Sequence, residues 1–133
     1  MRRIFVWTEK PETFDFTQLR TYGWDVELGK PPYDIWIFDV FVGNGITGKK
    51  ELWDDLSREF RGLLVYNWDG NGLLTADIAS NMLRADVVTV TSLETKKQVV
   101  EETSRSASEV RVIPEDPQEQ LHFWNTIQRT SPW

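Results

Sequence analysis

The chain has 133 residues, a formal net charge of −6 and a sequence pI near 4.8, and it contains no cysteine. That length buries roughly two-thirds of the unfolded surface in one core, so a single domain spanning residues 1–133 is expected without metal or disulfide support. The missing cysteines exclude a disulfide framework and a thiolate metal site. The acidity argues against the basic footprint of a nucleic-acid binder, and no apolar run reaches signal-peptide or membrane-spanning length. A cytoplasmic, soluble protein is therefore expected, with neither a nucleic-acid nor a membrane partner.

In chain order the pattern alternates strand and helix. Arg3 to Trp7 (RIFVW) reads as the first strand, and Phe14, Phe16, Leu19 and Tyr22 suggest a short, poorly periodic helix ending at Gly23. Trp24 to Leu28 reads as a second strand and Gly29 to Pro32 as a turn. Asp34 to Val40 (DIWIFDV) reads as the third strand, with Ile35, Ile37 and Val40 inward, and Phe41 to Gly48 (FVGNGITG) as a glycine-rich loop. Lys49 to Arg61 is an amphipathic helix with Leu52, Trp53, Leu56 and Phe60 in one stripe, closed by Gly62.

Leu63 to Asn67 follows as a fourth strand and Trp68 to Gly72 (WDGNG) as a loop at its carboxyl end. Thr75 to Arg84 is a helix predicted to face the sheet through Ala76, Ala79, Met82 and Leu83. Val87 to Thr91, a helix from Ser92 to Ser106 and Val110 to Ile113 form a strand, helix, strand crossover. The helix carries a Thr91/Glu94 capping pattern and a stripe of Leu93, Val99 and Val100. Asp116 as N-cap and Pro117 in the first helical position open a final helix over about 117–129, buried through Leu121, Trp124 and Ile127, with a frayed tail at 130–133. The fold class that results is a three-layer Rossmann-like α/β domain with about six mainly parallel strands.

Several of these segments resemble the closing half of the amino-terminal domain of GT-B glycosyltransferases, the family 4 type in particular. Tyr33-Asp34-Ile35 is similar to the family's D-V-(V/I) strand, and Gly62-Leu63-Leu64-Val65-Tyr66 to its G-(I/V)-P-(V/L)-V-Y strand. Arg84-Ala85-Asp86-Val87-Val88-Thr89-Val90-Thr91-Ser92 resembles (L/R)-A-D-x-V-x-(V/A)-S, and Val110-Arg111-Val112-Ile113-Pro114 resembles V-x-V-I-P-N. Leu19 to Val26 (LRTYGWDV) is similar to the family's L-x-x-x-G-H-x-V. The resemblance implies the fold of a GT-B half-domain. Its departures bear on activity, because the second domain that carries most nucleotide-sugar contacts does not follow in this sequence. The loop after the first strand, Thr8 to Glu12, has no glycine to bring backbone close to a phosphate, and Glu115 stands where the family has asparagine.

Candidate residues follow from these positions. Asp69 and Asp39, both expected at carboxyl ends of strands, would be the acid/base pair of an enzyme. Against that, Asp69-Gly70 and Asn71-Gly72 are also ordinary turn chemistry. Gly43-Asn44-Gly45 offers a weak phosphate cradle. His122 has no histidine or cysteine to complete a metal site and is expected at the surface. A triad of Ser92, His122 and Asp69 lacks a nucleophile elbow.

An exposed Trp68 beside Phe41 and Val42, with Asn44, Asp69 and Trp24 nearby, would form an apolar binding patch, tryptophan being the residue that desolvates a large area at low entropic cost. Glu101, Glu102, Glu115, Asp116 and Glu119 would give an acidic face toward a basic partner. The expected function is a non-catalytic protein-binding domain with no cofactor and no metal. An extension no motif carries makes it a bacteriophage-type regulator of a host protein machine such as RNA polymerase. The alternative is a glycosyltransferase half, on the acceptor side, completed by a separate donor-binding domain.

Overall fold

A computed structural model of the chain describes residues 2–9, 17–30, 35–46, 50–70 and 73–127. Six runs, all but the second rich in β-branched or aromatic residues, form the strands β1 (Arg3–Trp7), β2 (Asp25–Gly29), β3 (Val40–Asn44), β4 (Leu63–Trp68), β5 (Val87–Val90) and β6 (Val110–Val112). They make one sheet in the order β2-β1-β3-β4-β5-β6, and every pairing is parallel. Parallel strands need crossovers that cover both faces, which is why β4 and β5 are buried at every residue. The helices are α1 (Thr17–Thr21), α2 (Lys50–Glu59), α3 (Ala76–Arg84), α4 (Leu93–Thr103) and α5 (Pro117–Thr126). The arrangement is the expected Rossmann-like α/β one.

Two cores result. On one face Phe5, Trp7, Phe41, Leu64, Tyr66, Trp68, Val88 and Val90 meet Trp53 and Leu56 of α2, Ile78 and Met82 of α3 and Val99 of α4. On the other, the smaller Ile4, Val6, Val40, Val42, Val65 and Val87 meet Leu19 of α1 and Phe123 and Trp124 of α5. The final helix is tied down at its carboxyl end. Arg2 donates to the Trp124 and Asn125 carbonyls at 3.3 Å and lies over the Trp24 ring, whose indole N–H donates to Asn125 Oδ1 at 2.9 Å. A cation suits the negative end of a helix.

Four expectations are corrected here. The third strand is Val40–Asn44 rather than Asp34 to Val40. Ile35–Ile37 forms a one-turn 3-10 helix, in which Trp36 and Ile37 are 50% and 44% exposed while Ile35 is buried. Gly43, taken for a loop residue, lies inside β3 paired with Trp7 and Tyr66, and it is bare because a Cβ there would come within 2.7 Å of Trp53 Cζ3. In α3 the buried positions are Ile78, Asn81 and Met82, and Leu83 is exposed, so the apolar stripe is rotated from the predicted one. In α4 the cap is Ser92, whose Oγ accepts from the Thr95 amide at 3.1 Å, and the helix begins one residue later than the Thr91/Glu94 pattern suggested. Phe14 and Phe16, Pro31 to Asp34, Asn71-Gly72 and the tail beyond Ile127 lie outside the described residues.

Candidate functional site

In a parallel sheet the crevice for ligands opens at the carboxyl ends of the strands, where the crossovers change direction. Here that point lies between β1 and β3, since β2 lies on one side of β1 and all later strands on the other. A row of polar side chains runs across it. Thr89 Oγ1 donates to Asn67 Oδ1 at 2.8 Å, Asn67 Nδ2 to Asn44 Oδ1 at 2.8 Å, and Asn44 Nδ2 to Thr8 Oγ1 at 3.2 Å. Register explains it, because Asn44 pairs with Asn67 and Asn67 with Thr89, one step past the apolar row Val6, Val42, Val65 and Val87. The groups that would face a ligand satisfy one another instead.

The loop after β3 is fixed as well. The Ile46 carbonyl accepts from Tyr66 Oη at 2.9 Å and from Asn81 Nδ2 at 3.1 Å, and the Gly45 amide donates to the Asn67 carbonyl at 2.9 Å. With Gly43 in the strand and the Gly45 N–H engaged, the expected phosphate cradle of Gly43-Asn44-Gly45 does not form.

Burial, and secondarily the Asp69 carboxylate, push the Tyr66 phenol well above its ordinary value near 10. The folded state therefore keeps this proton where the unfolded chain has lost it, and stability is full below about pH 10 and declines as pH rises beyond that. Tyr66→Phe is expected to flatten that alkaline decline in urea-unfolding free energies. At neutral pH it should cost about 1 kcal/mol for the bond to Ile46. Identical alkaline slopes in the two proteins would show that Tyr66 is not the group responsible.

The sequence-predicted pair Asp39 and Asp69 is split. Asp39 precedes β3 at the amino edge, where Oδ2 accepts from the Arg3 amide at 2.7 Å, whereas Asp69 follows β4 at the carboxyl edge. A strand of six residues separates those edges by roughly 20 Å, more than twice the widest spacing at which two carboxylates flank one reacting bond. The Asp39/Asp69 acid/base pair is thereby overturned.

The apolar patch is overturned too. Trp68 is 2% exposed, Phe41 and Val42 are interior strand residues, and Trp24 is buried in its clamp on α5. Asn44 belongs to the polar row. Gly70 takes φ +83, in keeping with the turn reading of Asp69-Gly70. Ser92 serves as a helix cap, and His122 is exposed on α5.

The acidic residues divide between the two edges. Glu101 and Glu102 end α4, near the amino edge, while Glu115, Asp116 and Glu119 lie beyond β6 at the carboxyl edge, so they are not one face. Asp116 has a structural task, since Oδ1 accepts from the Gln118 and Glu119 amides at 2.8 and 3.3 Å.

What the structure does gather is a different surface. At the carboxyl ends of β4, β5 and β6 stand the exposed carboxylates of Asp69, Asp77, Glu94, Glu115, Asp116 and Glu119. Beside them are Leu73 and Leu93, 84% and 73% exposed. Gly70 abuts α4, since a Cβ on it would fall 2.8 Å from Thr95 Oγ1. Ile113 N donates to the Val90 carbonyl at 2.8 Å, which sets Pro114 to Asp116 beside Thr91 and Ser92.

Glu51, Asp77, Glu94 and Glu119 occupy the first turns of α2, α3, α4 and α5. Each stabilises its helix by about 0.3–1 kcal/mol and cancels the positive end that attracts phosphate elsewhere. The edge is thus unsuited to anions. Sequence reasoning placed Leu93 in a buried stripe and passed over Leu73; the one signal available was that each lies just before or at the first position of a helix, outside its buried turns.

Among the described residues no cluster of His, Asp and Glu could hold a metal ion, and no helix is long and apolar enough to cross a membrane. No protein-family model, no curated protein and no solved structure matches the chain.

Proposed function

We propose that the chain is a non-catalytic protein-binding domain whose docking surface is the carboxyl edge of β4 to β6, and that its partner presents a basic surface with apolar side chains. The observation that carries this reading is the composition of that edge: two largely exposed leucines among six exposed carboxylates, which outnumber the exposed Lys97 of α4. Leucine supplies contact area on desolvation, and a rim of carboxylates steers a basic partner and rejects an acidic one. A regulator of a host protein machine such as RNA polymerase is one role of this chemistry. The resemblance to the GT-B amino-terminal domain enters this proposal as the ancestry of the sheet, since fold alone does not transmit activity.

Affinity capture with variants tests the reading. A specific partner should be retained by the wild type and by Asp69→Asn. Leu73→Ser combined with Leu93→Ser should bind it at least tenfold more weakly, which corresponds to about 1.4 kcal/mol or more. Glu94→Lys combined with Glu115→Lys should slow its association and flatten its salt dependence. A partner bound equally by all these variants would contradict the proposal. So would saturable micromolar binding of a nucleotide-sugar that Asp69→Asn abolishes, which is the outcome the glycosyltransferase alternative requires.

A further inference from the structure

The opposite, amino edge of the sheet carries a separate apolar feature. Trp36 and Ile37 are half exposed on the 3-10 turn before β3, and the Trp36 ring is tilted over Phe60 with centroids 6.4 Å apart. Beside it is a groove of about 240 Å³ lined, among the described residues, by Trp36, Glu59 and Arg61. Small-molecule sites run to roughly 300–1,000 Å³; this groove has room for one large side chain.

Charges of both signs flank it. Glu59 and Arg61, the last residue of α2 and the second residue beyond it, form no ion pair among the described residues. A half-exposed indole thus shares a groove with one acid and one base that form no ion pair among the described residues.

We infer that this face binds a second copy of the same chain about a two-fold axis, with each Trp36 lying in the other copy's groove. A two-fold contact is self-complementary, since whatever residue i meets on j, j meets on i. A face bearing one acid and one base beside an apolar centre satisfies that condition: Glu59 of one copy meets Arg61 of the other, twice. A foreign basic partner would be repelled by Arg61 and a foreign acidic one by Glu59.

The indole is the contact that desolvates most area, and the two charge pairs fix register at the rim, where exposed pairs add little affinity but like charges oppose association. Such a dimer leaves both carboxyl edges pointing away from the interface. The inference is independent of what those edges bind.

Sedimentation equilibrium across the micromolar range tests it, with circular dichroism melting as the control for folding. The wild type should dimerise, and Trp36→Ala should weaken the dimer at least tenfold while still melting in a single cooperative transition at a concentration where both proteins are monomeric. Glu59→Arg alone and Arg61→Glu alone should each weaken it, and the double exchange Glu59→Arg with Arg61→Glu should restore it. This charge-swap arm decides the matter even if Trp36→Ala disturbs the fold, because both charged side chains are exposed. A wild type that is monomeric throughout that range, or a dimer that the double exchange fails to recover, overturns the inference.

Discussion

Arg105→Ala is expected to lower the unfolding free energy by about 3 kcal/mol, a fall in melting temperature of about 10 °C for a chain of this size. Ser104 closes α4 in a left-handed conformation with φ 58, and this turns the next side chain inward. The Arg105 guanidinium is buried against the end of α3. It donates to the Met82 carbonyl, to Ala85 at 2.7 Å and to Asp86 at 3.1 Å, and pairs with Glu109 at 3.0 Å.

The last carbonyls of a helix have no partner within it; here Arg105, from a distant loop, shares the Met82 carbonyl with the Ala85 amide and takes the Ala85 and Asp86 carbonyls where α3 turns into β5. Burial weakens the basicity of the group, an effect that Glu109 and then Asp86 oppose. Arg105→Lys should recover only part of the loss, because an ammonium cannot reproduce a planar fork of donors. Arg58→Ala, which removes a solvent-exposed pair with Asp55, should stay within about 0.5 kcal/mol of wild type. Equal denaturant midpoints for wild type and Arg105→Ala would contradict this account of the junction.

Trp53→Ala is expected to cost about 4 kcal/mol, within the range for deleting a large buried aromatic. Its indole is fully buried, edge-on to Tyr66 at 5.7 Å, and its N–H donates to the Asn81 carbonyl at 2.8 Å. It also rests on the bare backbone of Gly43. Gly43→Ala should therefore destabilise the wild type, yet cost less in the Trp53→Ala background, where only the 3.1 Å approach to the end of the Ile46 side chain remains and the added methyl fills space. A double-mutant cycle should return a coupling of about 1–3 kcal/mol. Additive effects would mean that the glycine is required by something other than the indole.

These two sites also show what was legible in the sequence. Strands β1, β4, β5 and β6 could be read because each is a nearly unbroken run of β-branched or large apolar residues between clear stops. Strand β3 could not, because Gly43 and Asn44 look like loop chemistry while the DIWIFDV segment before them mimics alternation. The glycine there marks close approach of a side chain, a requirement that arises only once α2 is docked.

The same limit hid the site. The polar row from Thr8 to Thr89 depends on register, which joins residues 22 to 36 positions apart in the sequence and has no local signature. Arg105, in a serine-rich loop, has no periodic context at all. Ile37 read as inward because its segment alternates, and Trp68 as surface because a turn follows it; Ile37 is half exposed, and pairing with Val90 puts Trp68 inside the sheet. The carboxylates were visible individually, but only the topology sorts Glu115, Asp116 and Glu119 with Asp69, Asp77 and Glu94, and sends Glu101 and Glu102 to the far edge.

The most direct test of the central claim is hydrogen–deuterium exchange on the complex with a captured partner, compared with the free chain. Docking at the acidic leucine edge should slow exchange in segments 68–70, 73–77, 91–95 and 113–119 and leave the turn at 35–39 unchanged. Protection confined to the amino edge, with those four segments exchanging as in the free chain, would contradict it.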